Sequence, residues 1–129
     1  MPERRSPFQY AALRVVPRVE RGEAVNAGVV LFCRPLRFLG ARTHLDEALL
    51  AALSPGCDAK EVGALLGTIE RIADGSPDGG PIAALPASER FHWLVAPAST
   101  IVQAGPVHTG LTADPAGELD RLFTQLVER

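Results

Sequence analysis

The 129-residue sequence is poor in the residue types on which several common classes of protein depend. It has only two cysteines, Cys33 and Cys57, too few for a disulfide framework, so we expect free thiols and a reducing, cytoplasmic environment. The longest unbroken apolar run, 27–33, is far shorter than the roughly 20 residues that a membrane-spanning helix needs. No apolar stretch of signal-peptide length follows the charged N-terminal residues. We therefore expect a chain that is neither secreted nor inserted in a membrane.

Motifs that would identify a reaction are also missing from the sequence. Lys60 is the only lysine and no G-x-x-x-x-G-K-[ST] is present, which excludes a P-loop. No G-x-G-x-x-G follows a strand signal, and no G-x-S-x-G nucleophile elbow exists. The histidines, His44, His92 and His108, show no short-range metal-ligand spacing with each other or with the cysteines. We expect no metal and no cofactor.

The length and composition predict one globular domain. A hydrophobic content of 47% and a charged content of 22% are ordinary values for such a domain. Residues 74–87 form a linker rich in proline and glycine. The chain after this linker is too short to fold alone, so we assign residues 1–129 to a single domain.

The first third of the chain predicts an antiparallel meander of three strands, over 8–16, 24–33 and 37–43. Both faces of the first two strands carry apolar side chains, which predicts that both faces of the sheet are covered. Residues 100–103 and 107–111 are candidates for edge strands.

Helices are predicted over 46–53, over 58–73 with an Asp58 N-cap, and from the Asp114-Pro115 pair to the C-terminus. Residues 88–95 favour a helix with a Ser88 cap, with a strand as the alternative. The helix over 58–73 has a predicted buried stripe: Val62, Leu65, Leu66, Ile69 and Ile72. Gly63 and Gly67 would allow another element to approach it closely. The fold class is therefore α+β, with an antiparallel meander sheet of about three to five strands packed against two or three amphipathic helices.

Charge is distributed unevenly along the sequence. Residues 1–42 hold eight arginines against three glutamates, a net charge of +5, whereas residues 43–129 hold five basic and twelve acidic residues, a net charge of −7. Such asymmetry is typical of a basic face for nucleic acid or an acidic partner. The alternative is that the two halves neutralise each other in the fold.

Four polar residues around the predicted first hairpin are the main candidates for a ligand- or partner-binding site: Arg14, Arg21, Glu23 and Asn26. Arg14 and Arg21 could clamp a phosphate or carboxylate beside Asn26, because the guanidinium group presents a planar bidentate fork. In the alternative interpretation, Arg21 and Glu23 form a surface ion pair around a glycine of positive φ, and Asn26 bonds nearby backbone.

Two further polar positions lie near the predicted edge strands. His108 could transfer a proton or bind an anion near neutral pH, or it could be a strand-end histidine bonded to backbone. Ser99 and Thr100 could cap or brace this segment. Phe91 and Trp93 are interpreted as core or interface anchors, because RNA stacking would need aromatic residues on alternate sheet positions amid basic residues.

These residues also carry a resemblance to a known family. The motifs that carry it are Arg14-x-x-Pro17-x-x-x-Arg21-Gly22-Glu23-x-x-Asn26-x-Gly28, Arg90-Phe91-x-Trp93-Leu94, Ser99-Thr100, His108-Thr109-Gly110-Leu111 and the Asp114-Pro115 helix. In this order they resemble the bacterial family called domain of unknown function 3037. The family has no established activity. By resemblance, its genes neighbour those of HipA-like kinases, which implies a protein partner rather than independent catalysis.

Three functions remain open from the sequence. The first is a non-catalytic interaction or regulatory module with a protein partner. The second is a small enzyme or ligand-binding domain that recognises an anionic compound through Arg14, Arg21, Asn26 and His108. The third is nucleic-acid binding through the arginine-rich N-terminal third.

Overall fold

The computed structural model describes residues 4–98 and 100–128, which form a five-stranded antiparallel sheet and four α-helices. The strands are β1 (Ser6–Val15), β2 (Val25–Cys33), β3 (Phe38–Thr43), β4 (Val102–Ala104) and β5 (His108–Thr112). The helices are α1 (Glu47–Leu53), α2 (Ala59–Asp74), α3 (Ala87–Val95) and α4 (Pro115–Leu126). The α+β class is as predicted, and the segment over 88–95 is a helix.

The long first strand organises the sheet. The meander β1–β2–β3 forms one side, with Ala11 opposite Val30 in the register. On its other side, β1 pairs first with β5 and then with β4, so that two short strands share one long neighbour. The two predicted edge strands therefore join the sheet beside β1, far in sequence from the residues with which they pair.

A β-bulge in β2 sets the register near the end of the first hairpin. Leu13 faces Gly28 and Arg14 faces Asn26, so Ala27 is the extra residue. A Cβ at Gly28 would lie 2.8 Å from the carbonyl oxygen of Arg42. Only glycine allows the backbones to approach so closely, so Gly28 is a close-approach position beside the bulge.

Helices cover both faces of the sheet, as the apolar residues on both faces of β1 and β2 predict. On one face, α4 packs against side chains that include Val29, Leu31 and Phe8. On the other face, α2 and α3 pack against Leu13 and Val30, and α1 joins α2 over the end of the sheet. No helix in the described ranges is long and apolar enough to cross a membrane.

The helix starts follow simple capping chemistry with one exception. Asp46, Asp58 and Asp114 each accept a hydrogen bond from a backbone N–H in the first turn of their helix. The predicted Ser88 cap is wrong, because α3 begins one residue earlier, at Ala87, after Pro86, which offers no side-chain acceptor.

Two predictions about α2 are also wrong. Leu65, assigned to its buried stripe, is 40% exposed, whereas Val62, Leu66 and Ile72 are buried. Among residues 4–98 and 100–128, no atom outside the helix backbone lies within 4 Å of a Cβ built on Gly63, so no described element approaches the helix there.

The segment over 74–87 is built from ordered turns. Two short 3-10 helices, Pro77–Gly79 and Pro81–Ala84, follow α2, and Ala83 of the second one is buried. Arg90 of α3 donates hydrogen bonds to the carbonyl oxygens of Ile72, Ala73 and Leu85, so it ties the end of α2 to these turns. The assignment of residues 1–129 to one domain stays a prediction.

Candidate functional site

An open apolar groove lies between α2 and the C-terminal end of α3, with β4 at its floor. We call it the α2–α3 groove; its volume is about 440 Å³. Its lining residues are almost all apolar: Leu65, Thr68, Ile69, Ile72, Trp93, Leu94, Ala96, Pro97, Ala98, Thr100, Val102 and Ala104. Among these described residues there is no cysteine, histidine, carboxylate or lysine. The groove therefore suits binding of an apolar group more than acid–base or nucleophilic chemistry.

The two aromatic residues of α3 point in opposite directions. Phe91 is 1% exposed, and its ring lies 5.4 Å from that of Phe32 in the core. Trp93, two positions further along the helix, is 50% exposed at the groove. Leu65 of α2 exposes 40% of its surface at the same groove. Two large apolar side chains exposed on one groove make it a candidate binding surface.

A second recess contains Arg14, and we call it the Arg14 cleft. Its volume is about 510 Å³, and its lining residues are Arg14, Val95, Pro97, Ala98, Gln103, Ala104, Gly105, Pro106 and Val107. Arg14 lies in β1 between Asn26 of β2 and Gln103 of β4. Its guanidinium group covers Gly105, where a Cβ would collide with Nη2.

Asn26 serves the fold. Its Nδ2 donates a hydrogen bond of 3.1 Å to the carbonyl oxygen of Leu126, at the C-terminal end of α4. The last carbonyls of a helix have no partner within the helix, so Asn26 satisfies one of them across 100 residues of sequence. This contact fixes α4 to the sheet next to Arg14.

Arg21 and Glu23 lie together in the exposed connection between β1 and β2. Arg21 Nε donates to Glu23 Oε1, and Gly22 between them has φ of 71°. Arg18 and Glu20 form a second exposed pair in the same connection. A backbone hydrogen bond, together with Arg18, lowers the pKa of the Glu20 carboxyl. The arrangement agrees with the ion-pair interpretation of this hairpin, and neither Arg21 nor Glu23 lines the Arg14 cleft.

His108 opens β5 opposite Tyr10, and the two rings lie 5.3 Å apart. It is exposed and does not line the Arg14 cleft, which ends at Val107. Ser99 lies outside the described residues. Thr100 braces its own turn, since its hydroxyl donates to the carbonyl oxygen of Val102.

The structure thus brings Arg14 and Asn26 together, and places the Arg21–Glu23 pair and His108 elsewhere. Sequence reasoning missed the residues that complete the two recesses, because they come from 95–107 and from α2. It also missed a third recess of about 440 Å³ beside β5, where Gln9, Arg34, Ser88, His92 and Thr109 supply polar groups. No group of three or more potential metal ligands is found among residues 4–98 and 100–128.

The N-terminal arginines have different environments. Arg18 and Arg21 pair with neighbouring glutamates, whereas Arg42 reaches Asp120 of α4 at 2.9 Å and lies over the ring of Phe123. Arg4, Arg5, Arg34 and Arg37 are exposed. One pair therefore joins the basic and acidic parts of the sequence across the sheet and α4.

The sequence profile of one family matches residues 10–127, nearly the whole chain. The chain belongs to the family described as "Protein of unknown function (DUF3037)". No curated protein and no solved structure matches it. The match confirms the resemblance seen in the sequence, and it includes every residue that lines the α2–α3 groove and the Arg14 cleft. The family description assigns no activity, so a function has to be argued from these surfaces.

Proposed function

We propose that this member of the family is a non-catalytic interaction module that binds a protein partner through the α2–α3 groove. The observation that carries the proposal is the half-exposed Trp93 on a groove of about 440 Å³ with almost entirely apolar walls. Tryptophan is enriched among the residues that dominate binding energy at protein interfaces.

The position of Trp93 supports binding rather than folding as its role. The core beneath α3 is already closed by Phe91 and Leu94, which are 1% and 7% exposed. Replacement of Trp93 would remove only a half-buried side chain and should destabilise the fold less than replacement of Phe91. A partner that covers the exposed half of the indole would gain the free energy of burying that apolar surface.

The chemistry of the groove supports a protein segment as the ligand. Thr68 and Thr100 supply the only side-chain hydroxyls among its described lining residues, and Thr100 is already bonded to Val102. A small polar metabolite would find few hydrogen-bond partners there, whereas apolar side chains of a partner would bury surface against Leu65, Ile69 and Trp93.

The partner and its compartment belong to the same proposal. The family resemblance suggests a HipA-like kinase as the first bacterial partner to test. Two free thiols, Cys33 in the core and the half-buried Cys57, fit a reducing cytoplasm. Membrane association forms no part of the proposal.

The test is site-specific photo-crosslinking in the native host. A photoreactive phenylalanine, p-benzoylphenylalanine, replaces Trp93 in one strain and Leu36 in a control strain. Leu36 is 42% exposed in the turn between β2 and β3, far from the groove in the fold. We expect one protein to crosslink from position 93 and not from position 36.

A second pair of variants distinguishes binding in the groove from nonspecific hydrophobic binding. Leu65→Gln removes an exposed apolar side chain from the groove, and Leu36→Gln removes one of similar exposure elsewhere. The partner should be recovered with Leu36→Gln and lost with Leu65→Gln. Equal recovery with both variants, or no specific crosslink from position 93, would refute the proposal.

A further inference from the structure

The Arg14 side chain is an unusual group at the edge of the proposed docking surface. Within residues 4–98 and 100–128, no carboxylate lies within salt-bridge distance of its guanidinium group. The side chain is half-buried, and its guanidinium group lies over Gly105. Arginines without a carboxylate usually extend into water, whereas this one lines a cleft.

The Arg14 cleft adjoins the α2–α3 groove. Pro97, Ala98 and Ala104 line both recesses. Arg14 is the only charged side chain among the described residues that line either one. The two adjacent recesses therefore present one positive charge beside an apolar groove.

We propose that the partner segment carries a large apolar side chain for the α2–α3 groove and, close to it in sequence, an aspartate or glutamate for Arg14. This inference rests on the proposed function and names the chemistry of the partner. A guanidinium group with restricted access to water gains most from a carboxylate, which it binds with two parallel hydrogen bonds.

The dimensions of the cleft favour a carboxylate within a chain. Its volume of about 510 Å³ exceeds what one carboxylate occupies, so the cleft can also accept groups of the chain that carries the carboxylate. The Nε2 of Gln103 already donates a hydrogen bond of 2.9 Å to the carbonyl oxygen of Thr100. Arg14 is therefore the main side-chain hydrogen-bond donor for a carboxylate in this cleft.

Selection from a random peptide library tests the inference. Dodecapeptides displayed as N-terminal fusions on phage have no free carboxyl terminus, so any carboxylate that binds comes from a side chain. We expect the wild-type protein to enrich peptides with Leu, Ile, Phe or Trp within four positions of Asp or Glu. The best peptide is then synthesised with acetylated and amidated termini and titrated by calorimetry.

Four protein variants test whether Arg14 binds the carboxylate of the peptide. Arg14→Gln should weaken binding by about 10- to 100-fold, the range for a hydrogen-bonded charged pair. Arg14→Lys keeps the charge without the fork and should lose less. Arg4→Gln removes an exposed arginine outside both recesses and should leave binding within about twofold. Trp93→Ser should weaken it by roughly 50- to 100-fold. Thermal unfolding of each variant checks that it folds.

A change in the peptide gives a second test, one that does not depend on the folding of any protein variant. Exchanging its acidic residue for the amide should weaken binding to wild type as much as Arg14→Gln does, and should cause no further loss with Arg14→Gln. Additive losses, enriched peptides without an acidic residue, or the absence of enriched peptides would overturn the inference. Peptides that need Trp93 but not Arg14 would overturn it and leave the proposed function standing.

Discussion

Replacement of the two aromatic residues of α3 should have opposite consequences for folding and binding. Phe91→Ala removes a fully buried ring that packs on Phe32, so we expect it to lower the free energy of unfolding by about 3–5 kcal/mol. Trp93 is half exposed, so its folded state buries on the order of 100 Å² of its surface. At about 25 cal/mol per Å², Trp93→Ala should then lower that free energy by at most about 2.5 kcal/mol. Compact unfolded chains reduce this to about 1.5–2 kcal/mol.

The same area predicts the effect on binding. If a partner covers the exposed half of Trp93, it removes another 100 Å² or so from water, worth about 2.5 kcal/mol. Trp93→Ala should therefore weaken partner binding by roughly 50- to 100-fold.

Urea unfolding followed by far-ultraviolet circular dichroism measures both stability changes. Circular dichroism is needed because Trp93 is the only tryptophan, and its replacement removes the fluorescence signal. If Trp93→Ala lowers the free energy of unfolding as much as Phe91→Ala does, Trp93 is a core residue. That result would remove the physical basis of the docking surface.

Three other outcomes follow from the packing and the charge distribution. Gly110→Ala should lower the free energy of unfolding, measured in urea, by about 1–3 kcal/mol, because the added Cβ would lie 2.7 Å from the ring of Phe8. Gly63 of α2 has open space around it, so Gly63→Ala should instead raise that free energy by about 0.5–1 kcal/mol. Asn26→Ala should cost about 1 kcal/mol and accelerate hydrogen exchange in the last turn of α4, where the carbonyl of Leu126 loses its donor; equal exchange in both proteins would contradict this role. In filter binding, nucleic acid should be retained only weakly at low salt and not at about 150 mM, whereas retention that persists at this salt would favour the nucleic-acid alternative.

Local sequence signals predicted most of the secondary structure. The Asp114-Pro115 pair and the apolar period that follows it predicted α4, and Asp58 predicted the start of α2. Each of these signals acts within one or two turns of chain. The position of Gly28 in a bulge could also be predicted, because few other reasons place a glycine in a buried strand.

Features that depend on distant contacts could not be predicted in the same way. Leu65 belongs to the apolar stripe of α2, but the spacing of apolar residues does not show how far the neighbouring elements extend over the helix. In the fold, Leu65 lies at the edge of the stripe that these elements leave exposed. The sharing of β1 by β4 and β5 depends on pairing across about 100 residues.

The candidate site shows the same division. Arg14 was identified as a candidate ligand-binding residue from its type and position, and Trp93 was interpreted only as a core or interface anchor. The recesses that they line are assembled from α2, from α3 and from 95–107, which meet only in the folded chain. For Asn26, the amide was expected to bond nearby backbone, and it bonds instead to a carbonyl 100 residues away.

The fluorescence of Trp93 provides the most direct measurement of the central claim, because the chain has no other tryptophan. The half-exposed indole should emit as a partly hydrated group in the isolated protein. The complex is formed with a tryptophan-free variant of the crosslinked partner, so that Trp93 alone gives the signal. In this stoichiometric complex, the emission should shift to the blue and resist quenching by acrylamide. Emission and quenching that stay unchanged in the complex would show that the partner does not cover the α2–α3 groove.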